Sequence, residues 1–169
     1  MGISFSKIYC ANSINVNIFK NKLFSLNLTL KYPPFDVRVR NGIGQTSIFD
    51  ALRKKWLVLT PEEWVRQHLL NYLVHEKKYP ASIIAIEKEI SLNDVKKRFD
   101  VVVYNKQKQP ALIIECKAPF IELDKTVIEQ VQRYNLVLKA NYIMVTNGMS
   151  DLVLDKNNNV IELPDYLNF

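Results

Sequence analysis

Residues 98–117 read Arg98-Phe99-Asp100-Val101-Val102-Val103-Tyr104, then Asn105-Lys106-Gln107-Lys108-Gln109, then Pro110-Ala111-Leu112-Ile113-Ile114-Glu115-Cys116-Lys117. Two apolar runs flank a polar loop. The runs Val101-Val102-Val103 and Leu112-Ile113-Ile114 have the unbroken apolar character of buried strands. If they pair through the loop, Val103 faces Leu112, and counting back sets Asp100 opposite Glu115. Opposed residues on one face lie about 4.5–5.5 Å apart at Cβ. Glu115 and Lys117 are two apart and share a face, while Cys116 turns the other way. The hairpin therefore predicts two carboxylates and one ammonium at the end of an apolar strand pair.

The flanking sequence supplies helices. Thr60-Pro61-Glu62-Glu63 combines an N-cap threonine, proline at the first helical position and glutamate three residues past the cap. The helix it opens has apolar residues at 65, 69, 72 and 73 and is expected to end near Lys77-Lys78, with Pro80 beyond. Residues 82–90 read as a strand and Leu92-Asn93-Asp94 as a turn. Beyond the hairpin, 124–139 reads as a second long helix and 142–146 as a strand. Asn147-Gly148 is a turn, and 151–163 is a last hairpin around Asn157-Asn158-Asn159. Upstream, 35–60 looks like short strands with a turn at Gly42 and Gly44, then a helical turn leading into a strand. The order is helix, three strands, helix, strand, hairpin. It predicts one α/β domain over 31–169, a mixed β-sheet flanked by helices.

Composition agrees. The chain has 169 residues, 48% apolar and 24% charged, which suits a single globular core. Disordered, collagen-like and disulfide-rich secreted classes are excluded. Cys10 and Cys116 cannot form a disulfide framework, so a reducing cytoplasm is expected. No apolar run approaches the roughly 20 residues of a membrane span. The net charge of +6 permits a polyanionic partner without demanding one. Residues 1–30 differ from the rest, with no Asp or Glu, three Lys and five Asn. They read as an appendage, loosely ordered or lying as a strand on the core, or as the product of a start site placed too far upstream.

Two close carboxylates repel, and burial raises the cost. A divalent cation relieves both problems, and Mg²⁺ takes one or two carboxylates plus water and phosphate oxygens. Asp100, then Glu115-Cys116-Lys117, resembles the D…(D/E)xK signature of the PD-(D/E)xK nuclease superfamily. Further segments occur in order: Leu59 to Gln67, Lys97-Arg98-Phe99-Asp100, Glu115 to Pro119, Gln130 to Asn135 and Thr146-Asn147-Gly148. Over roughly residues 35–165 the set resembles small stand-alone bacterial proteins related to the N-terminal nuclease domain of type I restriction enzyme R subunits.

The resemblance implies a restriction-endonuclease-like core and Mg²⁺-dependent DNA cleavage, with Mn²⁺ as a substitute. Asp100 and Glu115 are the implied metal ligands and Lys117 the catalytic lysine. It also implies a helical glutamate near the metal and a Gln–Tyr pair after the lysine, matching Gln130 and Tyr134, four apart on one helix face. For the glutamate, Glu62 is preferred because Glu63 has a capping role; Glu63 is the alternative. Lys97 and Arg98 are candidate DNA contacts. Expected partners are DNA and a second copy or other restriction-system subunits. No GxxxxGK[ST] loop occurs, so ATP-driven translocation is excluded for this chain.

Each residue has a structural alternative. Asp100, Glu115 and Lys117 could form a surface ion-pair cluster, and Gln130 and Tyr134 an ordinary helix edge. The competing function is a catalytically silent module that binds DNA or a partner. His68 and His75 lack zinc-like companions. Cys116 is expected to pack as a small apolar side chain, and Trp56 and Trp64 to belong to the core. Arg53-Lys54-Lys55, Lys77-Lys78 and Lys96-Lys97-Arg98 read as solvated faces or phosphate contacts.

Overall fold

The structure is a computed structural model that describes residues 30–92 and 95–166. The expected extension over 1–30, apart from Leu30, lies outside the described residues, as do Asn93 and Asp94 of the expected turn. The side chains of Lys97, Gln130 and Tyr134 also lie outside them.

Strands β1 (Val39–Gly42), β2 (Gln45–Asp50) and β3 (Lys55–Val58) form a small antiparallel sheet. Helix α1 (Pro61–His75) follows, then β4 (Ile84–Leu92), β5 (Val95–Tyr104) and β6 (Pro110–Cys116). Helix α2 (Lys125–Leu138) crosses to β7 (Tyr142–Thr146), and β8 (Asp151–Asp155) and β9 (Val160–Ile161) close the chain. These last six strands form one sheet in the order β4-β5-β6-β7-β8-β9. Only β6 and β7 run parallel, as a helical crossover requires. The expected mixed α/β sheet is present, and the small sheet β1–β3 is separate from it. Among the described residues no helix is long and apolar enough to cross a membrane.

The two helices lie on opposite faces. Val65, Leu69, Leu70 and Leu73 of α1 join Val101, Val103, Leu112, Ile114 and Met144 in one core. On the other face, Leu123 and Val127 pack against Ile143 and Val145. Cys116 is buried in the α1 core, as its apolar reading predicts. Helix α1 ends at His75, short of Lys77-Lys78, because the chain turns inward to bury Tyr79, whose N–H donates to the Leu73 carbonyl at 2.9 Å. Lys78 takes a left-handed φ of 60° in that turn.

The hairpin has the expected register, with Val103 paired to Leu112 and Val101 to Ile114. The paired residues end there, and Asp100 and Glu115 lie one position beyond them. Strand β5 starts earlier than expected and pairs along β4 up to Leu92 and Val95. That pairing has one break. Ile86 pairs with Val101 and Lys88 with Phe99, while Glu87 between them has a φ of 51°. Val101 packs toward α1, but Phe99 packs with Val102 and Ile113. Strict alternation would put residues 99 and 101 on one face. The strand therefore changes sides at Asp100, opposite Glu87, without a shift of register.

Candidate functional site

Asp100 sits at this break with its carboxylate held from two directions. Oδ2 accepts the Cys116 N–H at 2.7 Å, so the group is fixed against the peptide that joins Glu115 to Cys116. Oδ1 accepts Arg66 Nη2 of α1 at 2.7 Å. Lys117 Nζ donates to Glu115 Oε1 at 3.0 Å. Among the described residues Glu115 Oε2 takes no hydrogen bond. The three signature residues lie at one end of β5–β6, each partly buried, with Glu115 bonded to Lys117 and Asp100 bonded to Arg66 and to the Cys116 N–H.

Arg66 extends the cluster. Its Nη1 donates to Glu63 Oε2 and lies 3.7 Å from Glu87 Oε1. Arg53, in the turn after β2, donates to Asp50, Glu63 and Glu87. Gln67 Nε2 donates to Asp50 Oδ2 at 3.0 Å and to Glu63 Oε1 at 2.7 Å. The carboxylates of Asp50, Glu63, Glu87 and Asp100 therefore surround the guanidiniums of Arg53 and Arg66, leaving two negative charges in excess.

Burial opposes ionisation of Asp50, yet the backbone and side-chain bonds from Arg53 and the Gln67 amide hold its carboxyl below the usual range. Burial likewise opposes ionisation of Glu87, and Arg53 and Arg66 outweigh it, so its carboxyl also falls. Glu63 goes the other way: burial pushes it up more than Arg66, Gln67 and Arg53 pull it down.

The two candidate glutamates separate here. The Glu63 N–H donates to Thr60 Oγ1 at 3.1 Å, the expected cap bond. The reciprocal bond of the capping box is absent, because the Thr60 N–H donates to the Val58 carbonyl at 3.1 Å. The Glu63 carboxylate is thereby released into the cluster, where it is joined to Asp100 through Arg66. Glu62, preferred from the sequence, is half-buried and enters none of these bonds. Arg98 is exposed and pairs by register with Glu89 on the β4–β5 hairpin. Gln130 and Tyr134 lie on α2, across the sheet from α1.

Asp50, Arg53, Arg66, Gln67 and Glu87 escaped the sequence reading as members of the cluster. The spacings Asp50–Arg53 and Glu63–Arg66–Gln67 are the signals that could have found four of them. Glu87 offers no such signal, since an isolated acid in a β-branched strand looks like a solvated edge. Arg53, read as a solvated or phosphate-contacting residue, is instead enclosed by carboxylates.

The donor set suits a hard divalent cation. Asp100 and Glu115 offer carboxylate oxygens, and an oxygen that accepts one hydrogen bond keeps a lone pair for a second partner. Among the described residues no three His, Cys, Asp or Glu side chains gather as a metal cage. An ion here would take two carboxylates and complete its shell with water, the habit of Mg²⁺.

The sequence and the fold both have relatives. The family described as type I restriction enzyme R protein N terminus matches residues 61–165. No curated protein matches. Among solved structures, the chain is similar to a fragment of a candidate HsdR subunit of a type I restriction enzyme from Vibrio vulnificus YJ016. That match has 15% identity and a TM-score of 0.50, and it covers 65% of this chain and 25% of the other. This chain thus spans about a quarter of that relative. A candidate nuclease of the DUF820 group from Anabaena variabilis ATCC 29413 is also similar, with 11% identity and a TM-score of 0.38 over 85% of this chain and 89% of the other. With the family matched over more than half its length, the chain belongs to the type I restriction enzyme R protein N-terminal family.

Proposed function

We propose that this chain is a divalent-metal-dependent DNA endonuclease that hydrolyses phosphodiester bonds, using Mg²⁺ with Mn²⁺ as a substitute. The observation that carries the reading is the Asp100 carboxylate fixed against the Glu115–Cys116 peptide, beside the Glu115–Lys117 pair. Asp100 and Glu115 would hold the ion. When bound, it supplies polarisation of a phosphoryl oxygen and acidification of a water.

The chain's own residues do the rest. Arg66 and the Cys116 N–H fix the orientation of Asp100. Glu63 steadies Arg66 from the helix side. Lys117 places an ammonium where negative charge grows on the phosphate as its bond to the leaving oxygen breaks. Gln130 and Tyr134 are proposed to position the nucleophile or the DNA, and Lys97 and Arg98 to contact phosphates. Proposed partners are DNA and a second copy or other subunits of a restriction system.

A second reading is a DNA- or partner-binding module without turnover. It draws on one observation: Asp100 already has a cationic partner in Arg66. Supercoiled plasmid with Mg²⁺ or Mn²⁺ separates the two. The nuclease reading expects nicking or linearisation that is lost with EDTA and in Asp100→Ala and Lys117→Ala. Folded protein that cleaves with neither metal supports the binding module. Variants that cut like the wild type remove the site assignment.

A further inference from the structure

The small sheet β1–β3 buries one face and leaves the other open. Ile48 is fully buried on the inner side. Arg38, Arg40, Phe49 and Trp56 share the outer side, where Phe49 pairs with Trp56 and its N–H donates to the Arg38 carbonyl at 2.9 Å. The two rings meet edge to face at 5.3 Å. The Arg38 guanidinium carbon lies 3.6 Å from the Phe49 ring centroid, and that of Arg40 lies 4.4 Å from the Trp56 ring. Arg53 and Arg66 are enclosed by carboxylates, but among the described residues Arg38 and Arg40 make no ion pair. Asp36, two residues before Arg38, pairs with neither. Lys54 and Lys55, in and after the β2–β3 turn, are exposed and add charge of the same sign.

A guanidinium seated over a ring is held in place at one side. It keeps its other face for stacking and its N–H edge for anions. Two such groups at positions i and i+2 of an extended strand are spaced about 6.8 Å apart. The partner that fits has anionic groups at regular intervals and flat faces free to stack. An unpaired nucleic-acid strand has both, whereas a duplex hides its base faces in its own stack. We propose that the outer face of β1–β3 binds an unpaired nucleic-acid strand, with phosphates on the N–H edges of Arg38 and Arg40 and bases stacked against the Arg38–Phe49 and Arg40–Trp56 pairs. The turn beyond β2 carries Arg53, whose ion pairs join this sheet to the cluster around Asp100. The inference does not depend on cleavage and is tested without divalent metal.

The test uses the full chain in EDTA with fluorescein-labelled oligothymidylate and a duplex of equal length, read by anisotropy. Oligothymidylate is expected to bind more tightly than the duplex. The double variant Arg38→Gln, Arg40→Gln is expected to weaken that binding at least about tenfold. Its salt slope should fall by about 1.4, the share of two single-strand phosphates. Oligothymidylate should also quench tryptophan emission in the wild type but not in Trp56→Phe, a variant that keeps a ring and leaves the arginines in place. The proposal is overturned if the duplex binds equally or better, if the double variant binds like the wild type, or if Trp56 emission does not respond. Self-association abolished by the double variant, with nucleic-acid binding unchanged, would assign the face to a second copy instead.

Discussion

Arg66 Nη2 lies 2.7 Å from Asp100 Oδ1, across the boundary between helix α1 and the break in β5. The same guanidinium holds Glu63, so one cation fixes the helix glutamate and the strand aspartate relative to each other. It is also itself buried, and among the described residues its Nε has no hydrogen-bond partner. Its position is therefore set through Nη1 and Nη2, by the bonds they donate to Glu63 and Asp100.

Removing that cation should be expensive. Arg66→Ala leaves Glu63 and Asp100 without their shared partner, and breaking a buried pair from one side typically costs about 3–5 kcal/mol. Urea unfolding checks this. A loss below about 1 kcal/mol would mean that Arg66 is not central to the cluster.

The two candidate glutamates should behave differently. Glu63→Gln is expected to lower metal-dependent plasmid cleavage by at least about tenfold, while Glu62→Gln stays within about twofold of the wild type; a factor of ten corresponds to about 1.4 kcal/mol. Initial rates at saturating Mg²⁺ decide it. The reverse order would place the site on the other side of α1.

His68 gives a pH signature. It is buried between Phe35 and Trp64, and its Nδ1 donates to the Trp64 carbonyl at 2.9 Å. Burial lowers its pKa from the ordinary 6.5, outweighing that bond. The unfolded chain therefore takes up the proton first as the pH falls. The stability contributed by neutral His68 is complete above about pH 6.5 and is lost as the pH falls through the lowered folded value. His68→Phe keeps a ring and should flatten this part of the stability–pH curve. Parallel curves for wild type and variant would contradict the assignment.

Gly148 holds the turn after β7. Its φ is +80°, and a Cβ there would come within 2.7 Å of Leu30 and 3.2 Å of Val65. Gly148→Ala should cost at least about 1 kcal/mol, through both the left-handed backbone and the crowding. Thermal unfolding measures it, and an unchanged midpoint would show that Leu30 yields freely.

Much of this was legible in the sequence, for physical reasons. The Val103–Leu112 register followed from loop length and alternation. The N-cap at Thr60 followed from a local bond that needs no tertiary context. The long reach of Arg53 and Arg66 was not legible, because it depends on how α1 and the β2–β3 turn dock against β4 and β5. Glu87 is the clearest example. It meets two arginines only because its backbone departs from strand geometry, and nothing in Ile84 to Ile90 announces that departure. Trp56, expected in the core, lies half-buried on the outer face of β1–β3 under Arg40, a position fixed by which face of that sheet is covered.

The nuclease proposal requires that Asp100 and Glu115 together hold one divalent cation. Mn²⁺ titration followed by electron paramagnetic resonance measures this directly on the intact chain. One bound ion is expected in the wild type, lost in both Asp100→Asn and Glu115→Gln and retained in Lys117→Ala. Equal Mn²⁺ binding by the wild type and the two carboxylate variants would contradict it.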